Sequence, residues 1–351
     1  MAKLGEVCTI VSGSTPKTSV TSYWDGNIKW ITPAELNEDT FYIMDSVRHI
    51  TEEGKEKTGL SYLPTGTVIL SSRAPIGKTA IAGCEMCCNQ GFKNLICSDA
   101  IYNEYLYFFL KSKTDYLNSL GRGATFKEIS KSIVESIEIP LPEVNQQKEI
   151  AEKFKKLEQL ISLRKQQLAK LDELVKARFV EMFGDPVKNT MDWEIKPLSE
   201  LGELNRGVSK ARPRNSPELL GGPYPLIQTG EVANAKTYIT SFNSTYSEKG
   251  LAQSKMWPKG TLCITIAANI AQTSILTFDA CFPDSVVGFI SRNMTNELFI
   301  HYWFSFFQKI LDEQAPQVAQ KNINLKILSE LNVIVPPLSL QNRFAAFVER
   351  V

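Results

Sequence analysis

Short apolar runs and longer amphipathic runs follow one another along the chain in a regular order. The runs Thr67–Leu70 and Thr261–Ile266 are apolar and bounded by proline and glycine, which is typical of buried β-strands between turns. Aromatic-rich runs at helical spacing follow at Tyr102–Leu110 and Leu298–Phe304, and we expect their rings to pack a core. Each half of the chain therefore predicts an α+β globule, with a mixed sheet plus helices.

The two halves repeat one another at an offset of 194 residues, with 196 or 197 near the start. The repeat pairs Pro64–Ile69 with Pro258–Cys263, Ile81 with Ile275, Cys87 with Cys281, Lys127 with Lys321, Gln147 with Gln341 and Ala151 with Ala345. A register kept over so long a stretch favours a duplicated domain, and convergent patterning of strands and turns is the alternative. The period is too long for a short-unit solenoid, so we expect two whole domains.

Between the copies lies a segment of a different kind, at about 145–183, which lacks glycine and proline. Its apolar residues recur in alternating steps of four and three, which is the spacing of a coiled-coil seam. The seam consists of Ile150, Phe154, Leu157, Ile161, Leu168, Leu171, Val175 and Met182, with Arg164 and Arg178 at the remaining positions. We expect one long helix that Gly184 and Pro186 end.

The repeat offset predicts that an equivalent second helix begins at Leu340, and the sequence ends at Val351. We therefore expect a second helix truncated at the C-terminus. The central seam would then be unpaired within the chain or would pair with another chain. The predicted division is a first globule at 1–140, a central helix at 141–186, a second globule at 187–339 and the start of a distal helix at 340–351.

Composition narrows the class of protein. Hydrophobic residues make up 43% and charged residues 22%, as in soluble globular proteins, and no run of about 20 apolar residues could span a bilayer. The first residues lack the apolar core of a signal peptide, so we expect a cytoplasmic protein without a membrane partner. Seven cysteines are an odd number and fit free thiols, and Cys84–Cys88 lacks the further ligands that a zinc site needs.

Several kinds of catalytic site are missing from the sequence. There is no Asn/Asp-Pro-Pro-aromatic motif of an adenine methyltransferase, and the acidic residues do not cluster as in a magnesium-dependent nuclease. Two histidines, His49 and His301, stand apart from any nucleophile motif, which argues against a catalytic triad. Gly77-Lys78-Thr79 resembles the end of a phosphate-binding loop, but Ser72 stands where the first glycine belongs and Thr79–Gly83 is too short for the helix that must follow. We interpret this stretch as a turn between two strands and expect no metal and no ATP site.

Basic and amide side chains remain as the candidate chemistry. Arg and Lys bind phosphate or guanine, and Asn and Gln pair with adenine, so these residues could contact DNA although the net charge is only +1. In the first copy the candidates are Thr15, Lys17, Arg73, Lys78, Asn89, Gln90, Lys93, Arg122, Thr125 and Lys127. In the second copy they are Arg206, Lys210, Arg212, Arg214, Asn269, Gln272, Gln317, Gln320, Lys321 and Asn322. The loops differ between copies while the scaffold repeats, which favours two modules that read two different targets.

This layout resembles the specificity (S) subunit of type I restriction-modification systems over nearly the whole chain. The residues that carry the resemblance are Leu4–Glu6 with Ser12–Pro16, Asn89–Gly91, Gly123–Thr125 with Ile129–Ser130, Ile139–Pro142 with Gln146–Gln147, and Phe179–Pro186 at the end of the long helix. The resemblance implies two target-recognition domains, each similar to the DNA-recognition domain of adenine-N6 methyltransferases and each reading one half of a split, asymmetric sequence in double-stranded DNA. It also implies helices that set the gap between the half-sites.

By the same resemblance, the chain is non-catalytic and docks two modification (methyltransferase) subunits and the restriction subunits. Those partners would bring S-adenosylmethionine, ATP and Mg, so no cofactor is expected in this chain. The truncated helix adds self-association through the unpaired seam to the expectations. Two alternatives stay open: a specificity subunit of a type II-like system with a fused methyltransferase-nuclease partner, and a coiled-coil scaffold that binds only proteins.

Overall fold

The computed structural model describes residues 1–37, 39–73, 75–122, 127–267, 270–306 and 323–351. Its internal contacts divide the chain into a first unit, Met1–Arg164, and a second unit, Lys165–Val351. The division falls within one long helix, so each unit includes part of that helix. Within the described residues, no helix combines the length and hydrophobicity required to span a bilayer.

The first unit is built from short strands and helices. Its strands are β1 (Ala2–Lys3), β2 (Cys8–Ser12), β3 (Trp24–Ile31), β4 (Tyr42–Ile43), β5 (Arg48–Ile50), β6 (Val68–Ser71), β7 (Thr79–Ala82), β8 (Cys87–Cys88), β9 (Phe92–Cys97) and β10 (Glu138–Ile139). Its helices are α1 (Leu4–Val7), α2 (Glu52–Thr58), α3 (Asn103–Ser112), α4 (Thr114–Leu120), α5 (Lys131–Ser136) and the long α6 (Val144–Phe183), which continues into the second unit.

The second unit contains a matching set. Its strands are β11 (Ile195–Pro197), β12 (Gly202–Arg206), β13 (Leu220–Leu226), β14 (Tyr238–Ile239), β15 (Ser244–Tyr246), β16 (Met256–Trp257), β17 (Leu262–Thr265), β18 (Thr273–Leu276), β19 (Ala280–Cys281), β20 (Val286–Ser291) and β21 (Asn332–Ile334). Its helices are α7 (Leu198–Leu201), α8 (Thr229–Asn234), α9 (Glu248–Ala252), α10 (Glu297–Phe304), α11 (Leu325–Glu330) and α12 (Leu338–Val348).

The two units have the same sheet topology. The five-stranded sheet has the order β2-β9-β6-β7-β4 in the first unit and β12-β20-β17-β18-β14 in the second. The register also repeats, because Val68 pairs with Ile81 and Leu95 as Leu262 pairs with Ile275 and Phe289, each shifted by the 194 residues of the sequence repeat. The predicted duplication is therefore confirmed down to individual strand pairs. The predicted offset of 197 at Leu4 is wrong, because Leu4 N donates to Ile137 O as Leu198 N donates to Leu331 O, which keeps the offset at 194.

A buried glutamine at the start of a helix closes each unit in the same way. Gln147 of α6 is fully buried, accepts a hydrogen bond from Tyr102 N (2.8 Å) and donates to Ala100 O (2.9 Å) and Pro142 O (2.8 Å). Gln341 of α12 is fully buried and makes the equivalent bonds to Asn296 N, Met294 O and Pro336 O, with Thr295 as an additional donor. These amides satisfy backbone groups that would otherwise be buried without partners.

The predicted aromatic helices pack into the cores. Tyr105, Tyr107 and Phe108 of α3 are buried in the first unit, and Phe299 and Trp303 of α10 are buried in the second. All seven cysteines are free thiols, and five of them are buried. The interpretation as core residues is confirmed for these aromatic residues and for the five buried cysteines, whereas Cys84 and Cys97 are partly exposed.

The long helix α6 packs at its two ends and is exposed in between. Ala151 lies in the core of the first unit, and Val175, Phe179 and Phe183 lie in the core of the second. The apolar residues between them are exposed by roughly one third to three fifths of their area: Phe154, Leu157, Leu160, Ile161, Leu163, Leu168, Leu171 and Leu174. Gly184 follows the helix with φ +75°, a left-handed conformation that glycine adopts without strain and that ends a helix, as predicted.

Candidate nucleic-acid interface

In the first unit, the topology of the five-stranded sheet gathers several predicted loops at one edge. Ser12 at the end of β2 pairs with Lys93 at the start of β9, and Ser71 at the end of β6 pairs with Phe92. Antiparallel neighbours place the end of one strand beside the start of the next. The loop after β2, the turn between β6 and β7 and the loop before β9 therefore leave the sheet at the same edge.

The turn between β6 and β7 contains the Gly-Lys-Thr sequence. Leu70 pairs with Thr79 across the two antiparallel strands, and the chain enters β7 directly after Lys78. No helix N-terminus follows the lysine here, so the amide cradle of a phosphate-binding loop is missing at this turn. The interpretation as a strand-to-strand turn is confirmed.

Four of the predicted residues, Arg73, Lys78, Asn89 and Gln90, line one open groove of about 380 Å³ at this edge. The Thr15 hydroxyl donates a hydrogen bond to the Gln90 side-chain oxygen, so the loop after β2 also reaches the groove. The groove has further walls that the sequence interpretation missed, formed by Thr32, Pro33, Ala34, Pro75 and Gly91.

A carboxylate that the sequence interpretation also missed holds two of the predicted cations. Glu128 accepts from Arg73 Nε at 2.9 Å and from Lys93 Nζ at 3.2 Å. Burial acts to raise the pKa of Glu128, but the bonds from Lys93 and Arg73 outweigh it, so the pKa is lowered and the group is charged at neutral pH. Lys93 is buried, and its ammonium is turned to Glu128 instead of solvent. The sequence signal that could have pointed to Glu128 is its position as a single acidic residue directly after the basic residues Arg122 and Lys127.

Other predicted residues shape the loops in the free protein. Lys78 Nζ donates to Leu36 O at 2.6 Å and Pro33 O at 3.3 Å, which fastens one wall of the groove. Asn89 Oδ1 accepts from Gly91 N at 2.8 Å. Lys17 and Gln90 have exposed side chains. The exposed Arg122 exchanges backbone hydrogen bonds with Glu128, so Arg122 lies at the same edge.

Two tryptophans of β3 position the loop after β2. Trp24 Nε1 donates to Lys17 O at 3.2 Å, and Trp30 Nε1 donates to Ser14 O at 3.0 Å. Both rings are buried, and the Arg48 guanidinium lies 3.6 Å from the centroid of the Trp24 ring. Their role could not be inferred from the sequence, because nothing in it links β3 to a loop that precedes it.

The second unit gathers arginines at the equivalent edge. Arg206 ends β12 and pairs with Val287 at the start of β20, so Arg206, Arg212 and Arg214 lie next to the turn before β20. Arg214 Nη2 lies 2.5 Å from Asp284 Oδ1, Arg212 Nη2 lies 3.8 Å from Asp284 Oδ2, and Arg206 Nε donates to Asp284 O at 2.9 Å. Arg214 also lines a cavity of about 300 Å³ with Gln228, Ser244 and Tyr246 among others.

Two further predicted residues of the second unit have different surroundings. The Lys210 side chain is exposed, and its backbone N–H donates to Gln253 Oε1 at 2.6 Å. Gln272 lines a separate cavity of about 540 Å³ together with Asp172, Lys236 and His301.

The remaining predicted contact of the first unit that the structure describes, Lys127, is exposed. The predicted contacts Thr125, Asn269, Gln317, Gln320, Lys321 and Asn322 lie outside the described residues.

Comparison with known proteins matches two segments of the chain to one family. Residues 1–173 and 190–351 match the family model described as "Type I restriction modification DNA specificity domain". The MjaIX specificity subunit of a type I restriction enzyme from Methanocaldococcus jannaschii is 36% identical over 223 residues, covering 58% of this chain and 52% of that protein. The EcoR124I/EcoR124II specificity subunit from Escherichia coli is 26% identical over 164 residues, covering 45% and 40%. The chain thus spans about half, or less, of the length of these curated relatives.

Solved structures show the same fold. The S subunit of a type I restriction-modification system from M. genitalium aligns with 99% of this chain and 88% of its own length, with a TM-score of 0.55 and 17% identity. A chain from a structure of complex assembly and conformational transition of the type I R-M system aligns over the same shares with a TM-score of 0.59, also at 17% identity. At this identity the likeness concerns the arrangement of the backbone alone.

Proposed function

We propose, because the chain belongs to the family of type I restriction modification DNA specificity domains, that it recognises the DNA target of such a system. One observation carries the proposal. In each unit, predicted side chains meet at the same edge of the five-stranded sheet: Arg73 and Lys78 with the amides of Asn89 and Gln90 in the first unit, and Arg206, Arg212 and Arg214 in the second. Arg and Lys bind phosphates and guanine, and Asn and Gln bind adenine, so a cluster of these side chains on one surface is suited to contact DNA.

We further propose that each unit reads one half of a bipartite, asymmetric target. The units share their topology and register, so they would present their loops to DNA in the same manner. The loop residues differ: the first unit offers Arg73, Asn89 and Gln90, whereas the second offers Arg206, Arg212 and Arg214. Arginine-rich contacts favour guanine and amide contacts favour adenine, so two different half-sites are the expected result.

The proposed assembly contains two modification subunits and the restriction subunits, which would bring S-adenosylmethionine, ATP and Mg. This chain would contribute recognition and no catalysis. Its long helix would form the spacer between the recognition domains at 1–140 and 187–339. Exposed apolar side chains on α6 support a partner helix there, since an apolar stripe of this length is costly to leave in water.

The test of the function is the methylation pattern of the host genome. Methylome sequencing of a host that carries this gene and its modification partner should show a split adenine motif with two unlike halves. A matched pair of variants then assigns the halves. Replacing Gln90 should relax or abolish only one half, and replacing Arg214 only the other. An unsplit motif would contradict the bipartite proposal.

A binding measurement separates the proposal from the scaffold alternative. Arg73→Ala and Arg122→Ala should weaken DNA binding by the assembled complex, whereas Lys188→Ala, on the exposed turn after α6, should leave it unchanged. Assembly with the modification subunit should be intact in all three variants. Equal DNA binding by all three would favour a chain that binds only proteins.

A further inference from the structure

The arginines at the edge of the second unit are already paired with a carboxylate of their own chain. Asp284 lies in the turn before β20, and its side chain meets Arg214 at 2.5 Å and Arg212 at 3.8 Å. Its backbone oxygen accepts from Arg206 Nε at 2.9 Å. One residue thus contacts each of the three arginines predicted to bind DNA in this unit.

The backbone brings these groups together independently of the ion pairs. Gly207 N donates to Val286 O at 2.8 Å and Val208 N donates to Phe282 O at 3.1 Å, which fastens the arginine loop to the turn that carries Asp284. The side chains of Asp284, Arg212 and Arg214 are 36%, 58% and 43% exposed. Ion pairs this exposed contribute little to stability, so folding does not explain why the carboxylate is there.

We infer that Asp284 is a specificity-determining residue, which acts as an internal counterion that nucleic acid must displace. DNA can engage Arg212 and Arg214 only when its own acceptors replace the carboxylate. A phosphate backbone alone is attracted less strongly to the arginines, because it brings a second negative charge next to Asp284. A target that offers guanine O6 and N7 compensates for the lost ion pairs with bidentate hydrogen bonds. The inference rests on the proposed function, because it presumes that this edge meets DNA.

The first unit has an analogous pairing built from a different position. There Glu128 holds Arg73 and Lys93, whereas the repeat offset places Gln90 at the position of Asp284 and Asn322 at the position of Glu128. Each position therefore has a carboxylate in one copy and an amide in the other. Both units therefore place a carboxylate next to the cations proposed to contact DNA, but a different position of the repeat supplies it in each unit.

The experiment uses the full chain assembled with its modification subunits and compares Asp284→Asn with wild type. Dissociation constants are measured over a salt series for a random-sequence duplex and for the duplex that carries the methylation motif. Asp284→Asn should tighten binding to random DNA by about 3- to 10-fold at low salt, because a nearby like charge is removed. Binding to the motif should change less, so discrimination falls by a similar factor. Circular dichroism and a melting curve check the fold.

Glu330→Gln is the matched control. Glu330 forms an exposed ion pair with Lys326 on α11, so the substitution removes the same charge from the same unit. Ser199 donates to Ser329 O, which places this helix near the start of β12, at the opposite end from Arg206. The control should leave both dissociation constants close to wild type.

Three outcomes would overturn the inference. If Asp284→Asn and Glu330→Gln change the dissociation constants for both duplexes equally, Asp284 does not act as the counterion that DNA must displace. If Asp284→Asn weakens the motif and leaves random DNA unchanged, the carboxylate contacts a base directly. If the double substitution Arg212→Ala with Arg214→Ala changes neither dissociation constant, this edge does not meet DNA. Only that third result also removes the support for the proposed function in the second unit.

Discussion

The two units differ most where they are exposed and least where they are buried. Gln147 and Gln341 make the same bonds to equivalent backbone groups, and Val68 and Leu262 keep the same strand partners. At the sheet edge, the positions of Gln90 and Asp284 correspond by the repeat, but one is neutral and the other charged. The scaffold is constrained by packing and by satisfied polar groups, whereas the edge loops are free to diverge and so to acquire different targets.

The strongest test of the shared scaffold is Gln147→Leu. It leaves Tyr102 N, Ala100 O and Pro142 O without partners in a buried site, so the free energy of unfolding of the first unit should fall by about 3–5 kcal/mol. Chemical denaturation measures the loss. Gln146→Leu is the matched control, since Gln146 is exposed and adjacent, and it should change stability by less than about 0.5 kcal/mol. Equal effects would mean that the buried amide is dispensable.

A second test concerns the close approach of two loops that both units share. Gly13 follows β2 as Gly207 follows β12 in the matching strand register, and a Cβ at Gly207 would overlap the backbone oxygens of Phe282 and Pro283. Gly207→Ala should destabilise the second unit by about 1–3 kcal/mol through overpacking and should displace the arginine loop, which weakens DNA binding. The control Gly230→Ala adds a methyl group in open space and should be tolerated. If Gly207→Ala binds DNA as tightly as wild type, the arginine loop does not contribute to DNA recognition.

A third test uses a buried titratable group that the units do not share. His301 stands where the first unit has Tyr107, and burial lowers its pKa from 6.5 to about 4. The unfolded chain therefore takes up a proton at a higher pH than the folded chain, and stability must fall as pH drops from about 6.5 towards 4. Between pH 7 and pH 5 the second unit should lose about 1–2 kcal/mol through this group.

Denaturation of His301→Gln at the two pH values checks the assignment. The difference in stability between pH 7 and pH 5 should shrink relative to wild type. A pH dependence that is unaltered in His301→Gln would show that another group causes it.

The smallest expected effect compares the ion pairs that attach α6 to each unit. In the first unit Lys111 Nζ meets Glu158 at 2.7 Å with about one third of each side chain exposed, and in the second Lys236 Nζ meets Asp172 at 3.0 Å with about three fifths exposed. Lys111→Gln should cost about 1 kcal/mol and Lys236→Gln less than about 0.5 kcal/mol. Urea denaturation at low and high salt measures both. A larger loss of unfolding free energy in Lys236→Gln than in Lys111→Gln would contradict the expected order of the two ion pairs.

Much of this organisation is predictable from local and periodic signals. Thr67–Leu70 and Tyr102–Leu110 were assigned as strand and helix and lie within one or two residues of the observed bounds. The apolar steps of 145–183 predicted the long helix, which spans Val144–Phe183. These features depend on neighbours in sequence, where periodicity and turn residues report directly on structure.

Less of the candidate interface could be predicted from the sequence. Arg73, Asn89 and Gln90 were selected by residue type, and the structure brings them to one groove. Glu128 and Asp284, which hold the cations, were missed, because an ion pair depends on the side chains that converge from distant loops. Trp24 and Trp30 were missed for the same reason, since their indole groups support a loop from another strand.

The duplication, the α+β class of each copy, the long helix between them and the resemblance to a family of DNA specificity domains follow from the order of amino acids. The side chains that meet at the sheet edge, the cations that are already paired and the exposed stretch of α6 become known only from the fold. Repeats and periods are recorded in the order of residues, whereas the pairing of charges depends on distances between segments far apart in the chain.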